Sequence, residues 1–129
     1  MATLDVILRI ESDDAFSDEL RVNLSDKLTT GNPCVGISTI AATNAGGDNV
    51  IAPNVDSTKY VYIRHTGVDA NGAAVTTDLT VEDTDNVRFG KLGPGEFMLV
   101  PHSKGAAKGV QLETSSGVIV AEYAYWTKG

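Results

Sequence analysis

The side chains of this chain that could act as bases or nucleophiles are few: His65, His102 and the single cysteine, Cys34. Ser-His-Asp and Cys-His arrangements assemble in space, so their spacing along a chain excludes nothing. Other signs of such chemistry are missing, however. There is no G-x-S-x-G elbow, and neither histidine has a metal-type partner at short range. His65 ends the apolar run Tyr60-Val61-Tyr62-Ile63-Arg64, and His102 follows Pro101 at another strand exit. Both read as strand-end histidines, hydrogen-bonded or solvated. Cys34 lies in Pro33-Cys34-Val35-Gly36-Ile37, an apolar context that suits buried packing rather than an activated thiolate. A small enzyme built on His65 or His102 is the weakest reading. The chain reads as non-enzymatic.

Oxygen-rich turns raise the question of calcium. Asp83-Thr84-Asp85-Asn86 offers ligands at alternate positions, but no Gly or terminal Glu falls where a calcium loop places them. Asp69-Ala70-Asn71-Gly72 fails the same pattern. Lys91-Leu92-Gly93-Pro94-Gly95-Glu96 is not a phosphate loop, because its lysine precedes the glycines. The proline presets a turn, and the segment reads as a corner. No metal and no cofactor is expected.

Charge narrows the partners. The 129 residues carry a net charge of −7, and the ten Lys and Arg are scattered rather than clustered. Nucleic-acid affinity comes mainly from cations displacing counterions at phosphates, so a nucleic-acid partner is not expected. One thiol makes no internal disulfide. Val6-Ile7-Leu8 is interrupted by Arg9, and Phe97-Met98-Leu99-Val100 falls far short of a membrane span, so neither a signal peptide nor a membrane partner is expected.

The elements that would hold these residues are strands. Leu4, Val6, Leu8 and Ile10 alternate with Asp5, Ile7 and Arg9, a period of two that predicts an N-terminal strand with one buried face. Residues 11–19 hold five acidic residues and read as a solvated loop. Leu20, Leu24 and Leu28 are four apart, as in a helix. Asn23, Ser25, Thr29 and Thr30 favour a strand instead, ended by Gly31-Asn32-Pro33. Residues 34–42 form a β-prone run, and Val50-Ile51-Ala52 a short element.

Tyr60-Val61-Tyr62-Ile63-Arg64-His65 presents Val61, Ile63 and His65 on one face and Tyr60, Tyr62 and Arg64 on the other. Val75, Thr77, Leu79 and Val81 form the cleanest alternating pattern. The Asn71-Gly72 turn between these segments predicts an antiparallel hairpin. Phe97-Met98-Leu99-Val100-Pro101 reads as a strand buried on both faces. Further strands are expected over 110–113 and 118–126. Eight to ten short strands at roughly ten-residue spacing predict a single all-β domain over residues 1–129, an antiparallel β-sandwich resembling a jelly roll.

Aromatic placement marks candidate interface residues. Tyr60 and Tyr62 share a face with Arg64. Tyr123 and Tyr125 share a face with Ile119, and Trp126 falls on the other. Tyr, Trp and Arg dominate protein interfaces, and the alternating Leu4, Val6 and Leu8 add an apolar strand free to join a partner. A two-sided core with tyrosines at its rim is the competing explanation.

Taken together, Tyr60-Val61-Tyr62-Ile63-Arg64-His65-Thr66-Gly67, the strand over 75–81, Leu92-Gly93-Pro94-Gly95-Glu96-Phe97 and Ala121-Glu122-Tyr123-Ala124-Tyr125-Trp126 resemble small structural proteins of tailed bacteriophages. The likeness spans about half the chain. His65 departs from it, standing where that pattern has asparagine. It implies a head decoration or cement protein, located at the capsid surface of the virion and assembled in the host cytoplasm. It implies a homotrimer whose partner is the major capsid protein. Independently of the resemblance, the alternating strand within residues 1–10 suits addition to a partner's sheet edge as an assembly strand. A receptor- or glycan-binding module of a tail or head fibre is the alternative, using Tyr60, Tyr62, Tyr123, Tyr125 or Trp126 to stack on sugars.

Overall fold

The computed structural model describes residues 2–15, 19–44, 49–55, 57–103 and 108–128, the side chains of residues 32–36 excepted. Nine strands and no helix lie among them: β1 (Ala2–Ser12), β2 (Leu20–Ala42), β3 (Val50–Ala52), β4 (Lys59–His65), β5 (Leu79–Asp83), β6 (Arg88–Leu92), β7 (Phe97–His102), β8 (Val110–Thr114) and β9 (Ile119–Lys128). One sheet has the order β1-β2-β9-β4-β7 and the other β3-β8-β5-β6. Every pairing is antiparallel. The chain is all-β.

Period-two patterning explains how the sheets meet. Val61 and Ile63 of β4, Ile119 and Ala121 of β9 and Ala42 of β2 are buried against Leu79 and Val81 of β5, Val110 and Leu112 of β8 and Leu92 of β6. Each sheet thus buries one face on the other. Every large aliphatic side chain so enclosed contributes about 1.5–3 kcal/mol by leaving water. At the open side between the sheets, the Phe89 ring of β6 stacks on the His102 ring of β7, with centroids 5.4 Å apart. Lys59 is buried, and its ammonium donates to the carbonyls of Val55 (2.9 Å) and Ser57 (3.1 Å).

Three expectations are corrected. The Asn71-Gly72 turn forms, with Gly72 at φ 80° and its N–H donating to the Asp69 carbonyl. The flanking strands do not make a hairpin, however. They are held by one bridge, Val68 to Ala74, with β4 before it in one sheet and β5 after it in the other. Each has a single apolar face, and opposing those faces across the interior buries both, which side-by-side pairing does not do.

Gly31-Asn32-Pro33 does not end a strand either. β2 runs on through it, and the register slips between Thr30 and Pro33, Pro33 and Val35, and Val35 and Ser38. Such bulges bend and twist a strand instead of stopping it. Finally, β7 is not buried on both faces. Met98 and Val100 pack against the core, whereas Phe97 is 67% exposed and Leu99 38%. β7 is an edge strand, bonded only to β4. Cys34 lies within β2, and its side chain is outside the described residues.

Candidate assembly surface

β2 is long enough to serve two partners. Its first half, Leu20 to Thr30, pairs with β1, and beyond the bulges it pairs with β9. Thr30 is the switch point. It lies opposite both Ala2 and Lys128, is buried, and donates its hydroxyl to the Ala2 carbonyl. The result is a two-stranded arm of β1 and the first half of β2 leaving a two-sheet body.

Register sorts the arm into two faces. Leu4 lies opposite Leu28, Leu8 opposite Leu24 and Ile10 opposite Val22, with Val6 opposite Asp26. All of these fall on one side of the ribbon, because side chains alternate. The other side is polar apart from Ile7, which is 74% exposed. Lys27 lies 3.8 Å from Asp5, Arg9 pairs with Glu11 at 2.9 Å, and Arg21 pairs with Glu11 and Glu19. The single buried face expected of β1 is therefore only half realised. Leu4 and Val6 are half-buried, but Leu8 and Ile10 are exposed and Leu24 is 59% exposed. A lone two-stranded ribbon is marginal in water, and this one carries a sheet-like apolar face without a full covering layer.

The arm stands over the outer face of the first sheet. An apolar groove of about 480 Å³ lies between them. Leu4, Asp5, Val6, Ile7 and Leu8 line it from the arm, and Ile37, Tyr62, Phe97, Leu99 and Trp126 from the sheet. Compared with known proteins, the chain matches no family model, no curated protein and no solved structure.

The interface residues read from sequence divide three ways. Leu4, Val6, Leu8, Tyr62 and Trp126 come together at this groove. Tyr60 lies opposite Trp126 but is only 6% exposed, and Arg64 is exposed opposite Phe97 and Glu122. Tyr123 and Tyr125 face the other way and pack on the hydrophobic core, opposite Ile63 and Val61. Sequence reasoning missed Phe97, Leu99 and Ile37. The signal available was that Phe97 and Leu99 share a parity opposite to that of Met98 and Val100. A continuous apolar run concealed it.

Tyr62 donates its hydroxyl to Glu122 Oε1 at 2.7 Å. Burial, then this hydrogen bond and the Glu122 charge, push its phenol above the ordinary tyrosine range, with Arg64 acting the other way. A raised pKa means the folded state prefers the protonated phenol. That preference contributes fully below the ordinary tyrosine pKa and is lost as pH rises through the raised value. Titration followed by NMR of ring-labelled tyrosine is expected to show Tyr62 ionising above ordinary tyrosine, and Glu122→Gln to lower its midpoint. An unmoved midpoint in Glu122→Gln would contradict the assignment.

The polar candidates are occupied by structure. The His65 ring is buried. Its Nδ1 accepts from the Gly67 N–H (2.9 Å), so Nε2 carries the proton donated to the Thr77 carbonyl (2.9 Å). His65 and His102 sit at opposite ends of β4, since His102 pairs with Lys59. Six residues of strand separate them by about 20 Å. Asp83 Oδ1 accepts the backbone N–H groups of Asp85 (2.8 Å) and Val87 (3.1 Å), and Lys108 holds Asp85 at 3.0 Å. Asp69 Oδ1 likewise accepts from Asn71 and Ala73. These carboxylates cap tight turns. Among the described residues no three His, Cys, Asp or Glu side chains are grouped as a metal site. Glu82, which the sequence did not single out, is buried and accepts from Gln111 Nε2 at 2.6 Å.

Proposed function

We propose that this chain is a non-enzymatic structural protein of a tailed bacteriophage particle: a head decoration protein that binds the major capsid protein on the outer shell as a homotrimer and stabilises it. The observation that carries this reading is the arm, which joins a long outer strand edge to an apolar face. Open strand edges recruit partner strands through main-chain hydrogen bonds, a common assembly mode. Three linked copies multiply a weak contact into a durable one, and the net charge of −7 keeps crowded copies apart in solution.

We read the two sheets more finely as a jelly roll. The strand orders β2-β9-β4-β7 and β3-β8-β5-β6 support it, with β1 added at one edge. This is the arrangement of eight strands in which neighbours in sequence repeatedly change sheets, and it is frequent in viral shell proteins. Fold alone does not specify a role, and the resemblance of the segments around Tyr60, Gly93 and Tyr123 to phage particle proteins supplies the context.

Immunogold labelling of purified particles, with antibody raised against the recombinant chain, tests the proposal. Gold spread evenly over the heads is the expected result. Gold confined to a tail tip or fibre would replace it with receptor binding, and intact particles without gold would overturn it.

A further inference from the structure

We infer that the free edge of β1 pairs with the same edge of a second copy of this chain, antiparallel about a two-fold axis at Ile7, so that two arms join into one four-stranded ribbon. β1 is an edge strand of 11 residues, bonded on one side to β2 and on the other to no strand among the described residues. A two-stranded ribbon is marginal in water, and such a layer needs three or more strands to stand on its own. One pairing of arms supplies them.

The sequence of β1 fits itself in one register. About an axis through Ile7, Asp5 falls opposite Arg9 of the second copy, Arg9 falls opposite its Asp5, and Ile7 meets its own counterpart. On the other face Leu4 meets Ile10 and Val6 meets Leu8. Opposed residues of an antiparallel pair share a face and interact, and here no like charges are opposed. Sliding the second strand by two residues loses the match. One direction sets Asp5 against Glu11 and Arg9 against Ile7; the other sets Asp5 against Ile7 and Arg9 against Thr3. A slide of one sets apolar residues against polar ones.

Ile7 carries the argument furthest. It is the one apolar side chain on the polar face of the arm, 74% exposed between Asp5 and Arg9, with Ser25 opposite it on β2. At the two-fold axis it meets only its own kind. The charges beside it have neighbours within the arm as well, Lys27 at 3.8 Å from Asp5 and Glu11 at 2.9 Å from Arg9. Neither is used up, since a carboxylate accepts several hydrogen bonds and a guanidinium donates five. Sign then alternates across the ribbon from Lys27 to Asp5 to Arg9 of the second copy. Affinity comes from the backbone rather than from area. The two edges exchange about ten main-chain hydrogen bonds, as many as a standard interface carries. One strand edge is small, so the joint is weak alone and durable only among many linked copies. A two-fold contact lies outside a three-fold trimer. It therefore goes beyond the decoration reading, linking copies of neighbouring trimers on a shell and standing without any shell in solution.

Disulfide trapping in the full-length chain reads the register directly. With Cys34→Ser in place, Ile7→Cys is expected to give a covalent dimer on a non-reducing denaturing gel after oxidation by glutathione disulfide, and nothing larger. Asp5→Cys and Arg9→Cys stay monomeric alone, because each lies about 13 Å from its own counterpart, beyond the reach of a disulfide. Mixed, they form the dimer. Asp5→Arg and Arg9→Asp each exchange two attractions for two repulsions and weaken association about tenfold in sedimentation velocity, and the double variant restores it. Circular dichroism checks folding, and the charge exchange decides the matter if a cysteine variant fails to fold. A folded Ile7→Cys chain that forms no dimer overturns the inference, as does Asp5→Cys cross-linking alone as readily as Ile7→Cys. An Ile7→Cys thiol that forms no dimer and is shielded from alkylation only by added capsids assigns the edge to a strand of the shell and overturns it too. Heads without gold, with the Ile7→Cys dimer intact, would remove the decoration reading and leave this contact standing.

Discussion

If the chain decorates virus heads as proposed, removal of residues 1–10 is expected to leave a folded two-sheet body that no longer binds them. The body loses little because β1 packs almost entirely on β2. None of the buried core residues comes from β1. The second half of β2 keeps its pairing with β9 from Pro33 to Ala42. Binding loses far more. The outer edge of β1 disappears, half of the arm's apolar face goes with it, and the remaining β2 segment is a single strand without a ladder. Cosedimentation with particles reads the loss, and thermal denaturation of the truncated chain reads the fold. Undiminished cosedimentation would remove the arm from the assembly reading. A truncated chain that fails to melt cooperatively would show instead that the arm belongs to the folding unit.

His65→Leu is the second large effect, and it falls on stability. Leucine fills a similar volume, but it leaves the Gly67 N–H and the Thr77 carbonyl without the ring that joins them. Both groups are part-buried, so stripping them of their partner costs toward the lower end of about 1–3 kcal/mol each. At about 3–5 °C per kcal/mol for a chain of this size, the midpoint of thermal unfolding should fall by on the order of 10 °C. His102→Leu, at the far end of β4 where the ring stacks on Phe89, is the comparison. The comparison also separates clamp from catalyst. A His65→Leu protein that melts like the wild type yet loses activity in particle binding would make His65 a functional group and refute the structural role.

How legible this was depends on the range of the interaction. Alternation of apolar and polar residues reports which side of a strand is buried, and it located β1, β4, β8 and β9 from single residues such as Val61 and Leu4. The Gly93-Pro94-Gly95 corner was equally plain, because proline presets one turn angle and Gly95, at φ 82°, supplies the other. What alternation cannot report is which sheet a strand joins. Asn71-Gly72 reverses the chain as expected, but whether Val61 pairs beside Val81 or faces it across the core is decided by burial of both apolar faces at once. The same limit hid part of the groove's lining. Phe97 and Leu99 read as core because an exposed apolar patch has the composition of a core, and only the placement of β7 shows that they face outward. Tyr123 and Tyr125 erred the other way, offered as surface residues and found on the core. Of the groove's lining, Leu4, Val6, Leu8, Tyr62 and Trp126 were singled out by pattern and residue type.

The sharing of β2 between arm and body has a mechanical meaning. A tug on the arm along its own direction passes down one unbroken backbone into the ladder with β9 and loads those hydrogen bonds in shear, many at a time. Pulling β1 sideways off β2 loads its ladder one bond after another, like a zip. Such an attachment grips under tension along the arm and releases under a peeling force. In the proposed decoration role, a shell strained outward by its contents would be held against stretch, while a subunit could still be seated or lifted from its edge.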